Sequence, residues 1–335
     1  MTSVDQPAEA KEAVVVGGSG FVGSAVVEAL SGYGWSVRSV PAPRLTWQAA
    51  TKPQAEVSPD LPDADIERMS KKFERTRVVI NAAGDPDASS TDSAHLLGAN
   101  ALLPAVLYSA AARAGAERFI HVSSAVVQGD GPVLDSSLDY RPHSPYAESK
   151  ALGEQWLLLG NKTAPGLVIY RPPSVHARGR RITETIRKLG ALHLASFAGT
   201  GQAPTPQALL ANTADAIAYL ATASVTPPSI VHHPWEGLTT SQFLELLSGR
   251  PAHRIPRSAA KAMLRSLALL EPVFPRISPN RRRLEILWFG QSVAPSWLEE
   301  QGWSALQGPS AWSRLAGAAR DESVARLDSL STCDE

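Results

Sequence analysis

Two hydrophobic periods alternate along the chain. Residues 13–16 (AVVV) form an unbroken apolar, largely β-branched run, the pattern of a strand buried on both faces of a parallel sheet. A helical period follows over about 21–30, and WSVRSV at 35–40 reads as a second strand. The spacing then predicts helix 64–73 before strand 77–81, and an Ala/Leu-rich helix over about 94–114 before strand 118–124. After a turn-rich stretch at 125–145, helix 146–159 leads into strand 166–172. Strand and helix thus alternate, which argues for an α/β fold with a doubly wound parallel sheet.

Beyond about residue 175 the pattern changes: Pro, Gly and Arg thicken, helices are expected to shorten, and strands are sparse apart from 229–233. The expected organisation is a first domain at 12–175 and a smaller C-terminal region at 176–320 with segments returning to the sheet. Residues 321–335, which lack periodicity, are expected to be a flexible tail.

The length of 335 residues suits two units at a prior of about 150 residues each. Apolar residues at 44% and charged ones at 19% are the opposite of a disordered composition. Lys and Arg total 32 and Asp and Glu total 32, so a globally basic nucleic-acid or membrane-surface binder is not expected. The charge is uneven, however. Residues 251–290 hold eight Lys/Arg against Glu271 and Glu285, a local excess of six that faces either a phosphate or solvent.

The one cysteine, Cys333, permits neither an internal disulfide nor a cysteine metal site. The opening MTSVDQPAEAKEA lacks the apolar core of a secretory signal, and no apolar run nears the ~18 residues of a membrane span. A cytoplasmic protein is therefore expected.

The first strand runs into Gly17-Gly18-Ser19-Gly20-Phe21-Val22-Gly23 and then a helix. Gly17 permits a tight turn, Gly20 lets backbone approach a pyrophosphate, and Gly23 allows close helix–strand packing. The helix N-terminus offers free N–H groups to the anion. The spacing is GxxGxxG, and the strand–turn–helix context is what distinguishes a dinucleotide site from a mere turn. This is the sequence expectation for a Rossmann-type sheet. The second strand ends in Val40-Pro41-Ala42-Pro43-Arg44, with no carboxylate to hold ribose hydroxyls. Arg44 or Arg38 would instead meet a 2′-phosphate, which favours NADP over NAD.

Pro145-Tyr146-Ala147-Glu148-Ser149-Lys150 sets a phenol and an ammonium four residues apart, on one helix face. A phenol's ordinary pKa near 10 is too high for ready proton exchange, and a neighbouring cation lowers it. Ser123-Ser124 lies about 22 residues earlier, at the carboxyl end of a strand, where doubly wound sheets bind ligands.

These motifs resemble the extended short-chain dehydrogenase/reductase superfamily. The resemblance rests on 17–23, Asp60-Leu61, Asn81-Ala82-Ala83-Gly84, Asn100, HVSSAVVQG (121–129), PYAESK (145–150) and RPPSV (171–175). Later landmarks are Asn212-Thr213-Ala214-Asp215-Ala216 and Gly302-Trp303. It implies that Tyr146 is the general acid/base, that Lys150 tunes it and binds the nicotinamide ribose, and that Ser124 polarises a carbonyl. It further implies that Gly17, Ser19, Gly20, Phe21, Val22, Gly23, Arg44, Asp60, Leu61, Asn81, Ala82, Ala83, Gly84, Asn100 and Arg171 serve the cofactor. The Ala-rich helix and the Tyr146 helix would pair across a two-fold axis, giving a homodimer.

Three positions depart from the family pattern. Gln128 replaces a tyrosine, Ser174 stands where the family has asparagine, and Ala203-Pro204-Thr205-Pro206-Gln207 lacks an arginine common among nucleotide-sugar enzymes. Arg178, Arg180, Arg181 or the cluster Arg281-Arg282-Arg283 are the candidates to supply that charge.

Adjacent strand residues point to opposite faces, so His232 and His233 do not suit one metal ion, and none is expected. His121 is read as a packed strand residue and His176 as a lesser candidate for substrate contact. The expected activity is an NADP- or NAD-dependent ketoreductase acting on a nucleotide-linked deoxysugar. The alternatives are a 4-epimerase with retained NAD, a lipid-alcohol substrate, or a non-catalytic dinucleotide sensor.

Overall fold

A computed structural model describes residues 11–48, 53–88, 90–129, 131–161, 164–271, 273 and 277–316. The expected tail at 321–335, with Cys333, lies outside the described residues.

The first half contributes strands β1 (Glu12–Val16), β2 (Ser36–Val40), β3 (Val78–Asn81), β4 (Arg118–Val122), β5 (Val133–Leu134) and β6 (Gly166–Arg171). Helices α1 (Phe21–Gly32), α2 (Asp63–Phe73), α3 (Ser93–Arg113) and α4 (Pro145–Gly160) separate them. The second half brings β7 (Ser174–His176), β8 (Ser196–Ala198), β9 (Gln207–Leu209), β10 (Ile230–His232), β11 (His253–Ile255) and β12 (Ser292–Val293). Its helices are α5 (Arg181–Ala191), α6 (Leu210–Thr222), α7 (Thr240–Ser248), α8 (Arg257–Leu270), α9 (Ile277–Phe289) and α10 (Trp297–Glu300).

Six strands form one parallel sheet in the order β10-β6-β4-β3-β1-β2, the doubly wound arrangement expected from the alternating pattern. Side chains alternate across it. Val14, Val16, Val79, Phe119, Leu167 and Ile169 enter the core shared with α2, α3 and α4. Val15, Val78, Ile80, Ile120, Val168 and Tyr170 enter the core shared with α1 and α6. Both faces are covered, so apolar residues occupy consecutive strand positions. Each such side chain contributes roughly 1.5–3 kcal/mol of burial.

The helices after residue 175 are on the whole shorter than those before it, as expected: 11, 13, 9, 14, 13 and 4 residues in α5 to α10, against 12, 11, 21 and 16 in α1 to α4, with α6 and α8 among the longer of the later ones. Their sequences, LANTADAIAYLAT and RSAAKAMLRSLALL, are rich in strong helix formers. Strand β10 pairs with β6 and α6 packs on α1, so this half completes the central sheet and one of its layers. A separate core gathers Phe243, Leu244, Leu247, Ile186 and Trp312.

Residues between β2 and α2 cross α3 and α4. The Trp47 amide donates to Ala94 O (3.0 Å), the Trp156 indole donates to Gln54 O (3.0 Å), and the Trp47 and Trp156 rings lie 5.6 Å apart. Leu45, Ala55 and Leu61 pack into the same core. The described residues of this stretch thus pack on α3 and α4.

Candidate active site

The glycine turn follows β1 at the carboxyl edge of the sheet. Gly17 has φ +80°, a conformation L side chains rarely adopt, and a Cβ there would lie 2.9 Å from Ala83 N. A Cβ on Gly23 would fall 2.1 Å from Gly17 O, so α1 can approach the turn only without a side chain. Gly20 caps α1 with extended backbone and no side-chain bond, and Ser19 and Gly20 are exposed. The first N–H groups of α1 thus remain available to an anion. This donor set, and a cradle that any Cβ would fill, fit a dinucleotide pyrophosphate.

Beside the turn, α4 lays its polar face along the end of β4. Ser144 caps the helix by accepting from Ala147 N (3.2 Å), with Pro145 at its first position, which fixes where Tyr146 begins the ladder. The Ser124 hydroxyl faces the Tyr146 phenol. One turn on, Lys150 Nζ donates to Val122 O at 3.4 Å. A Cβ on Gly84 would sit 3.2 Å from that Nζ and 2.7 Å from Asn100 Oδ1, so a side chain there would invade the site.

Asn100 belongs to a π-helical turn, Gly98–Leu102, within α3. Such single turns often mark functional positions, because they redirect one side chain. Asn100 accepts from Asp85 N (3.0 Å) and donates to Asp85 O (3.2 Å) and Ser149 Oγ (3.1 Å). Asn81 accepts from Ala83 N (3.0 Å) and meets His121 Nδ1 at 3.1 Å. The site therefore joins Gly84, Asn100, Ser124, Tyr146 and Lys150 from four separate stretches of sequence.

Electrostatics revise one expectation. Burial pushes the Tyr146 phenol up to about 12, partly offset by the Ser124 hydroxyl and by Arg180 and Arg283. The phenol thus stands above its ordinary value, not below it. Burial also brings Lys150 down to about 8, opposed by Glu154 and Asp85. At neutral pH Tyr146 keeps its proton and Lys150 remains largely charged.

Two further expected residues are engaged within the chain. The Arg171 side chain turns to α4 and the loop after β5. Its guanidinium is fully buried, paired with Glu154 (2.6 Å) and donating to Ser137 O (2.8 Å) and Asp135 O (3.2 Å). Arg38 is spent on Thr76 Oγ1 (2.8 Å), Lys72 O and Glu74 O, which leaves Arg44, exposed beyond β2, as the remaining candidate for a 2′-phosphate. Asp60 is exposed ahead of α2, and Leu61 packs against the core.

Arg180 lies over the Phe21 ring, 4.5 Å from its centroid, and so reaches the glycine turn. Arg283 on α9 is within electrostatic range of Tyr146, Asp87, Arg180 and Arg181. His176 is walled in, its ring nitrogens bonded to Thr183 (3.0 Å), Gln207 (2.8 Å) and Ser174 (3.1 Å). His232 bonds Ser136 and Ala294 O, whereas His233 bonds Tyr170 and Glu236. The sequence reading missed Glu154 and Asp85. Glu154 had a legible signal, lying four residues beyond Lys150 on the same helix face.

A doubly wound sheet with a glycine turn beside a serine, tyrosine and lysine defines a nicotinamide-dinucleotide enzyme. The sequence model of the NAD dependent epimerase/dehydratase family matches residues 13–228, and the chain belongs to that family. Among curated proteins, it is 34% identical over 165 residues to the 4-hydroxy-2-methyl-3-oxo-4-farnesyl-3,4-dihydroquinoline-1-oxide ketoreductase of Stigmatella aurantiaca. That match spans 47% of this chain and 48% of the relative, so about half of each protein is compared.

Among solved structures, the Thermus thermophilus UDP-glucose 4-epimerase in complex with NAD aligns with TM-score 0.62 and 19% identity, covering 92% of this chain and 99% of that one. A human epimerase family protein with NADPH aligns with TM-score 0.61 and 17% identity, over 91% and 99%. A dTDP-4-dehydrorhamnose reductase from Clostridium acetobutylicum gives 0.61 and 18%, over 92% and 99%. These likenesses establish the fold.

Proposed function

We propose that the chain is an NADP(H)-preferring ketoreductase. The observation that carries this reading is that the Ser124 hydroxyl faces the Tyr146 phenol, one helical turn from Lys150. Gly17, Ser19, Gly20, Phe21, Val22 and Gly23 would hold the pyrophosphate, and Arg44 a 2′-phosphate. Asp60 and Leu61 would lie along the adenine, Asn81 to Gly84 would line the dinucleotide, and Lys150 would bind the nicotinamide ribose. When bound, the nicotinamide supplies the hydride that the carbonyl carbon accepts.

Ser124 donates a hydrogen bond to the carbonyl oxygen, drawing charge onto it. Tyr146, still protonated at neutral pH, gives its proton to the developing alkoxide, a far stronger base than phenolate. Lys150 stabilises the phenolate that remains, and Asn100 holds the Asp85 loop beside it.

Arg180 and Arg283 act electrostatically on Tyr146, with Arg181 near Arg283, and would provide positive charge for a substrate diphosphate, which supports a nucleotide-linked deoxysugar ketone. A second substrate class, an uncharged aromatic ketone, is favoured by the curated relative, a ketoreductase of a farnesylated quinoline oxide.

NADPH oxidation is to be followed with a nucleotide 4-ketosugar and with a quinolone-type ketone, on wild type and Tyr146→Phe. Loss of general acid help is expected to slow turnover by about two to four powers of ten, with NADPH affinity within about twofold. A Tyr146→Phe variant as active as wild type would overturn the assignment.

A further inference from the structure

Three side chains one turn apart on α4 each meet a different residue at the end of β4. Tyr146 faces Ser124, Lys150 bonds Val122 O at 3.4 Å, and Glu154 accepts from Ser123 Oγ at 2.5 Å. Tyr146 and Lys150 are the rungs already assigned to proton transfer. Glu154 is the third, and it has no place in that chemistry.

Glu154 is fully buried, and its carboxylate is saturated from one side. Arg171 Nε reaches both oxygens (3.1 and 3.2 Å) and the second guanidinium nitrogen lies 2.6 Å from Oε2. Arg171 in turn sits 5.4 Å from the centre of the Tyr140 ring. A buried ion pair of this kind is weak evidence for stability, because apolar replacements are often as stable. Its position beneath Lys150 gives it another consequence.

We propose that Glu154 is a positioning residue: its carboxylate, fixed by Arg171 and Ser123, keeps the Lys150 ammonium charged and in register with Tyr146. The inference rests on the ketoreductase reading for its consequence in turnover, but not for its effect on Lys150. The charged groups facing Lys150 are Glu154 on its own helix, Asp85 from the loop after β3, and His121 on β4, which burial keeps neutral. Asp85 also lies 3.4 Å from the exposed His95 ring, whereas Glu154 lies wholly inside the protein. Arg171 is the opposing positive charge on β6, and Glu154 spends one carboxylate on both cations.

The test is to titrate Lys150 directly. Protein carrying 13Cε-lysine is followed by NMR from pH 6 to 11, with the Lys150 signal assigned by its loss in Lys150→Met. In the double variant Glu154→Gln/Arg171→Met, which removes both charges together, the Lys150 midpoint is expected to fall by about half a unit or more, because Glu154 acts on Lys150 more strongly than Arg171 does. Glu154→Asp keeps the charge but retracts it by one methylene, and its midpoint should fall by less; it also serves if the double variant does not fold. Both variants are expected to show the wild-type far-UV spectrum.

In turnover, the alkaline limb of kcat should move down by the same amount, while KM for the ketone stays within about threefold. A Lys150 midpoint unchanged in a folded Glu154 variant overturns the inference, and marks the pair as structural. Retained activity in Tyr146→Phe would sink the ketoreductase reading alone, because the lysine titration does not depend on it.

Discussion

Helices α4 and α8 are of similar length, 16 and 14 residues, and meet their surroundings in opposite ways. Helix α4 is buried nearly all round. Its interior polar groups Ser149, Lys150 and Glu154 each bond a named partner, and Trp156 is pinned through its indole N–H. Helix α8 buries only Ala260 and Leu264, and leaves Met263 at 53% and Leu269 at 80% exposure. The first helix is held by constraints from the sheet, α3 and the loop before α2. The second is held by α9 on one side. Proton transfer needs atoms fixed to within fractions of an ångström, and the fold supplies that where packing over-determines position. Helix α8, which carries none of the residues assigned to the site, is under no such demand.

This contrast makes mutational sensitivity unequal, in a definite order. Arg171→Met alone would strand the Glu154 carboxylate inside the protein, and is expected to cost about 3–5 kcal/mol in urea unfolding. Gly23→Ala forces a methyl group against Gly17 O, and should weaken NADPH binding by more than about a hundredfold in a fluorescence titration, because the turn must open. Arg44→Ala should lower the NADPH-over-NADH preference by about tenfold, the worth of one charge-assisted bond. A preference left untouched would remove Arg44 from the 2′-phosphate site. At the bottom, Leu269→Gln on α8 should change stability by less than about 0.5 kcal/mol. If the α8 change proves as costly as the Arg171 change, the two lobes do not differ in the way described.

The periodic parts of the chain were readable because each one is local. The strand at 13–16, the glycines at 17, 20 and 23, and the Tyr146–Lys150 pair announce themselves within a few residues, and the fold follows from their alternation. The parts that misled depend on contacts distant in sequence. Arg171 reads as a motif residue, and only the packing of β6 against α4 reveals Glu154 as its partner. Arg38 reads as a free cation, yet it closes on Thr76 and the backbone at the end of α2. Residues 42–61 have no period at all, with Leu45, Trp47 and Leu61 set among prolines and polar groups. Nothing short of the assembled core shows that they cover α3 and α4. The raised Tyr146 phenol was illegible for the same reason: sequence spacing supplied the neighbouring cation, but not the burial that outweighs it.

The family match ends at residue 228, and β10 begins at Ile230. That strand borders β6 through Ile230–Ile169, Val231–Tyr170 and His232–Arg171. A truncation drawn at the end of the match would strip β6 of one of its two neighbours and present the hydrogen-bonding groups on that side as an open template for other chains. Such a fragment is expected to aggregate, even though it retains the glycine turn and Tyr146. The shortest unit worth expressing therefore extends past His232, because the outermost strand of the dinucleotide sheet is encoded beyond the homologous stretch.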